Sequence, residues 1–60
     1  MSALSFKDVT GNNIPFDNKN ELSFEERCDV VTGEITAYLV YYNDYIYEVN
    51  EATYTALKNL

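Results

Sequence analysis

Histidine and tryptophan are absent from this chain, cysteine and proline occur once each, glycine twice, and four basic residues face ten acidic ones. Each shortage excludes something. Without imidazole, zinc and other histidine-based metal sites have no ligands, and the residue most used for acid and base catalysis is missing. A single thiol, Cys28, cannot close an internal disulfide, and a nucleophilic role for it would need a base that the chain does not contain. As one unpaired cysteine it is expected to be a small buried hydrophobe in a reducing compartment. The formal net charge of -6 argues against direct contact with nucleic acid or an anionic membrane, since phosphate is held by lysine and arginine, and it favours a partner protein with a basic or neutral surface. No apolar run approaches a membrane span, and the opening MSALSFKD lacks the charged and apolar regions of a signal peptide, so a cytoplasmic protein is expected.

Sixty residues make one small domain, and a chain this short buries only roughly 60% of the surface its unfolded form exposes. With no disulfide and no metal, self-association is the remaining way to add stability, so a homodimer is one expectation.

What is abundant is the strand-forming kind of residue. Residues 24–49, FEERCDVVTGEITAYLVYYNDYIYEV, alternate with period two and are dense in Val, Ile, Thr, Tyr and Phe, which predicts three consecutive antiparallel strands. Two turns join them. Asp29 and Thr32 can hold loop amides while Gly33 takes the left-handed position, giving a four-residue loop that pairs Asp29 with Glu34. These six residues resemble the tight turn of the second hairpin in bacterial immunoglobulin-binding domains, a resemblance that implies a turn geometry and no function. Asn43-Asp44 supplies the second turn, pairing Tyr42 with Tyr45, Tyr41 with Ile46 and Val40 with Tyr47.

Carried without interruption, the first pairing sets Cys28 opposite Ile35 and Phe24 opposite Leu39, and sorts the sheet into two faces. One, the expected core face, carries Phe24, Cys28, Ile35, Ala37, Leu39, Tyr41 and Ile46, with Glu26 and Glu48 near its edges. The other carries Glu25, Arg27, Asp29, Glu34 and Thr36 at one end and Tyr38, Val40, Tyr42, Tyr45, Tyr47 and Val49 at the other. A loop shorter by one residue would exchange part of this assignment.

The flanks are simpler. Residues 2–17 form an N-terminal hairpin in which Leu4 and Phe6 alternate with polar residues, Thr10 to Asn13 turn the chain, and Ile14 and Phe16 return it. Pro15 limits the return to an edge. Residues 17–21 form a polar connector whose oxygens are not spaced for calcium, and residues 22–49 hold the meander. Residues 50–60 predict a C-terminal helix capped by Asn50, with Glu51 in its first turn and Lys58 in its last. So short a helix must dock to persist, and Leu57 and Leu60 are expected above Leu39 and Ile46.

The fold class is therefore α+β: a small antiparallel sheet of four to five strands with one C-terminal helix packed on a face. No catalytic motif, cofactor loop or metal set is present in the sequence, so a non-catalytic binding module is expected. Its candidate partner-binding residues are Tyr38, Val40, Tyr42, Tyr45 and Tyr47, with Glu25, Asp29 and Glu34 as an acidic margin. A contiguous tyrosine patch marks an interface if it is exposed. It is a second layer of core if Leu4, Phe6, Ile14 and Phe16 fold over it, and both readings stand at this point. The acids admit two readings as well, a solubilising rim and an imitation of a phosphate backbone, of which the rim is the plainer. A regulator or inhibitor of the kind phages encode, a nucleic-acid mimic and an assembly subunit that grows by strand pairing are the corresponding functions.

Overall fold

The structure, a computed structural model, describes residues 4–60. Strands β1 (Leu4–Lys7) and β2 (Asn13–Phe16) form a two-stranded hairpin. A three-residue 3₁₀ turn at Lys19–Glu21 leads into β3 (Ser23–Cys28), β4 (Ile35–Tyr42) and β5 (Tyr45–Val49), which form a second antiparallel sheet in that order. Helix α1 (Glu51–Lys58) ends the chain. The architecture is α+β, with five strands in two sheets and one C-terminal helix. Of the residues expected in the N-terminal hairpin, Ser2 and Ala3 lie outside the described ones.

Short polar side chains set the turns. Asp8 Oδ1 accepts from the Thr10 and Asn12 amides at 3.0 and 2.9 Å, while Gly11 takes a φ of 94°. That closes β1 on β2, placing Leu4 opposite Phe16 and Phe6 opposite Ile14. Asn43 and Asp44 take φ values of 51° and 68°, the two-residue geometry that matches strand twist, and Tyr42 pairs with Tyr45. Asn18 caps the 3₁₀ turn reciprocally with Glu21, giving the polar connector a shape its composition did not announce.

The β3–β4 register departs from the uninterrupted ladder. Asp29 does pair with Glu34, its amide donating to the Glu34 carbonyl at 2.8 Å, and Cys28 lies opposite Ile35. Between Arg27 and Cys28 the register then shifts by one, so that Arg27 meets Ala37 and Phe24 meets Val40. Thr36 is the extra residue of a bulge, and its hydroxyl donates to the Arg27 carbonyl. One added residue reverses which side chains share a face. Phe24 now stands with Tyr38, Val40, Tyr42, Tyr47 and Val49, and this tyrosine side is the inner one.

Two covers close it. Phe6 of β1 meets Tyr47 edge-on at 5.6 Å, and Tyr54 of α1 meets Phe24 edge-on at 5.5 Å and the tilted ring of Tyr38 at 4.8 Å. Phe16, Val40 and Val49 are sealed at the centre, with Ile14, Leu22 and Leu57 around them. The expected core-face residues Ala37, Leu39, Tyr41 and Ile46 thus lie on the outer side, where Leu39 is buried, flanked in register by Glu25 and Glu48, and Ile46 is exposed. Cys28 and Ile35 stay on the side of Phe24 and Glu26 and are exposed because the covers stop short of them. The helix accordingly packs through Tyr54 and Leu57 on the tyrosine side, and Leu60 is exposed rather than seated over Ile46.

Candidate functional site: a projecting arm and the cleft at its base

An eight-residue helix spans only about 12 Å, and the N-terminal hairpin lies over the other end of the sheet, so the covers stop short of the β3–β4 turn. Every residue from Glu25 to Thr36 is exposed. The result is an elongated molecule, 44 Å by 22 Å by 22 Å.

The arm ends in a turn that is ordered yet apolar. Asp29 Oδ1 accepts from the Val31 amide at 2.7 Å and the Thr32 amide at 3.2 Å, and these bonds hold its carboxyl below the usual carboxylate range. The Gly33 amide donates to the Asp29 carbonyl at 2.8 Å and the Glu34 amide to Thr32 Oγ1 at 3.2 Å. The turn is thereby satisfied internally, while Val30 and Val31 stand 99% and 88% exposed at its outermost point. Below them the arm carries Glu25, Glu26, Asp29 and Glu34 against one base, Arg27. β3 is also an edge strand of its sheet.

Where the arm meets α1 there is a cleft of about 360 Å³. Its strand wall is Glu26, Ile35 and Tyr38. The helix wall includes Glu51, Tyr54 and Lys58. The Tyr54 hydroxyl donates to Glu26 Oε1 at 3.3 Å, and the Lys58 ammonium lies 5.2 Å from the centre of the Tyr54 ring. Burial, then the charges of Glu51 and Glu26, raise the Tyr38 phenol above its ordinary range. Burial and Glu26 do the same to Tyr54.

The residues singled out from sequence are divided between core, margin and arm. Val40 is fully buried, and Tyr38, Tyr42 and Tyr47 are half-buried against the core cluster. Tyr45, at 65% exposure, is the member that faces solvent. No contiguous tyrosine patch is displayed, and of the two readings the covered one describes the structure. Glu25, Asp29 and Glu34 are exposed on the arm, with Glu25 accepting from the Tyr41 hydroxyl, a bond that raises that phenol. Val30, Val31, Ile35, Tyr54 and Lys58 escaped the sequence reading as site residues. Two valines inside an Asp-to-Gly turn were the available signal, because turn chemistry alone does not call for them.

Carboxylates, phenol rings and exposed aliphatic groups are what this region offers chemically. Among the described residues, no group of three or more Cys, Asp or Glu is placed to hold a metal ion, and no helix is long and apolar enough to cross a membrane. The chain matches no protein-family model, no curated protein and no solved structure.

Proposed function

We propose that the protein is a non-catalytic acidic binding module, a regulator or inhibitor that engages another protein through the β3–β4 arm. The observation that carries this reading is the pair of fully displayed valines on an internally satisfied turn. Exposed apolar groups at the end of a projecting hairpin lose contact with water when they enter a partner's pocket, and a pre-shaped turn has little ordering left to do on binding. The tyrosines act from behind, as the packed wall that holds the arm in place, and Tyr45 extends the surface at the far turn. The acids of the arm favour a basic or neutral partner surface and raise the rate of encounter with it.

The test compares two baits in an affinity purification: the protein as it is, and Val30→Ser/Val31→Ser with an unchanged melting temperature. The reading expects partners on the first bait to be missing from the second. Identical recovery on both would sink it.

The edge position of β3 supports a second reading, self-association by strand addition to a second copy. Light scattering over a wide concentration range tests it, with hydrogen exchange to show whether the β3 amides are the ones protected in a dimer; a monomer leaves the arm for another protein.

A further inference from the structure

We propose that the cleft between the arm and α1 receives a lysine or arginine side chain presented by the partner protein. The inference rests on the binding-module reading and supplies the chemistry of its partner. At about 360 Å³ the cleft lies within the range of small ligand sites, and its walls combine two features that suit one kind of group.

The first is aromatic. Tyr38 and Tyr54 lie with ring centres 4.8 Å apart and planes inclined at 47°. A cation within about 6 Å of a ring centre is drawn to the π density. The Tyr54 ring is largely buried, yet the protein's own Lys58 ammonium stands 5.2 Å from its centre, so a cation can approach it from the cleft side.

The second is charge. Glu26 comes from β3 and Glu51 from α1, so a carboxylate lines each wall. An ammonium or guanidinium between them gains charge-assisted contacts that a neutral or acidic group forfeits. Ile35, exposed at the same cleft, offers an aliphatic surface to the stem of such a side chain, whose methylenes favour apolar contact while the head stays polar. Farther out, Asp29 and Glu34 extend the negative field toward the valine tip. Lys58 is then a tethered competitor, occupying a ring face that the incoming cation would share.

The experiment is a titration of the isotope-labelled protein, followed by its amide resonances, with three short peptides that differ only in a central lysine, arginine or norleucine flanked by valines. The lysine and arginine peptides are expected to shift Glu26, Tyr38, Tyr54 and Thr55, and the norleucine peptide to bind about tenfold more weakly. Glu26→Gln/Glu51→Gln removes that preference, and Glu51→Gln alone, at an exposed site in the first helical turn, halves the question if the double variant is unstable. Lys58→Met works in the opposite direction, tightening the basic peptides severalfold. Equal binding of norleucine and lysine, or a preference that survives loss of both carboxylates, overturns the proposal. If only the norleucine peptide binds, shifting Val30 and Val31 alone, the cleft inference falls while the binding-module reading stands. If no peptide shifts the cleft, the inference falls too, and the two-bait comparison decides the parent reading separately.

Discussion

The two ends of the β3–β5 sheet are built from the same kinds of residue and behave oppositely. At one end, Phe24, Val40, Tyr47 and Val49 are closed between the N-terminal hairpin and α1, where the aromatic rings meet edge-on. At the other, Val30 and Val31 have no cover at all and Ile35 remains exposed beside the cleft. Propensity cannot distinguish them, because β-branched and aromatic residues suit a pleated strand in either place. The difference is the reach of the covers, and it teaches that stability belongs to one end while the other is left free for the recognition proposed above. Substitutions at the two ends should therefore separate cleanly.

The largest effect is expected at Phe16, fully buried and 6.0 Å from Phe6. Phe16→Ala should cost about 3–5 kcal/mol, most of what a domain of this size possesses. Circular dichroism should find it largely unfolded near room temperature. A folded variant that loses order only in the N-terminal hairpin would break the comparison, showing that the hairpin is not part of the stabilised end. Next comes Asn50, whose Oδ1 accepts from the Thr53 amide at 2.8 Å at the start of α1. Asn50→Ala should cost about 1 kcal/mol by thermal melting, the usual value of a cap. No change in melting would mean that docking of Tyr54 and Leu57 holds the helix without its cap.

Acid sharpens the comparison because one device recurs at both ends. Asp8 at the hairpin turn and Asp29 at the arm turn each accept loop hydrogen bonds, Asp8 chiefly from the Thr10 hydroxyl and Asp29 from the Val31 amide, and each has its pKa lowered below 3.8. A lowered pKa means that the folded state prefers the carboxylate. The stabilisation is complete above the unfolded value near 3.8 and is lost as pH falls through the lower folded one. Asp8→Asn should flatten the acid limb of the global melting curve. Asp29→Asn should instead loosen the Val31 and Thr32 amides, measured by hydrogen exchange, with little change in global melting. Equal effects on global melting would join the two ends into one cooperative unit.

Much of this arrangement was legible because it is local. The Asn43-Asp44 turn, the Asp29-to-Glu34 loop, the Asn50 cap and the β4–β5 register each depend on a few neighbouring residues, and each is present as read. The inner face was not. It turns on a single bulged residue, Thr36, and the stretch from Phe24 to Leu39 alternates acceptably in either parity. Requiring Phe24 to share a face with Val40 and Tyr47 would have pointed to the bulge, since that parity gathers the largest apolar surface on one side. The same reversal moved the helix from Leu39 and Ile46 to Phe24 and Tyr38, whereas Cys28, which keeps the face of Phe24, is exposed because the covers end before it. The cleft was beyond reach for a related reason: Glu26 and Glu51 are far apart in sequence, and only the docked helix brings them to one place.

The smallest expected effect is the most informative about the arm. Val30 and Val31 contact almost nothing within the molecule, so Val30→Ser/Val31→Ser should leave stability within about 0.5 kcal/mol of the original. The argument has a sign as well. Both residues are β-branched in a turn held by Asp29 side-chain bonds, and serine suits such a turn at least as well, so any shift should be toward greater stability. Removing two displayed apolar groups should also raise solubility, because the tip is the surface on which unrelated molecules would stick. Denaturant melts of both proteins, side by side, measure the first effect. A loss above about 1 kcal/mol would mean that the valines are packed in solution, against the arm or a second copy, and would assign the tip to the stabilised part of the molecule, against the recognition role proposed for it.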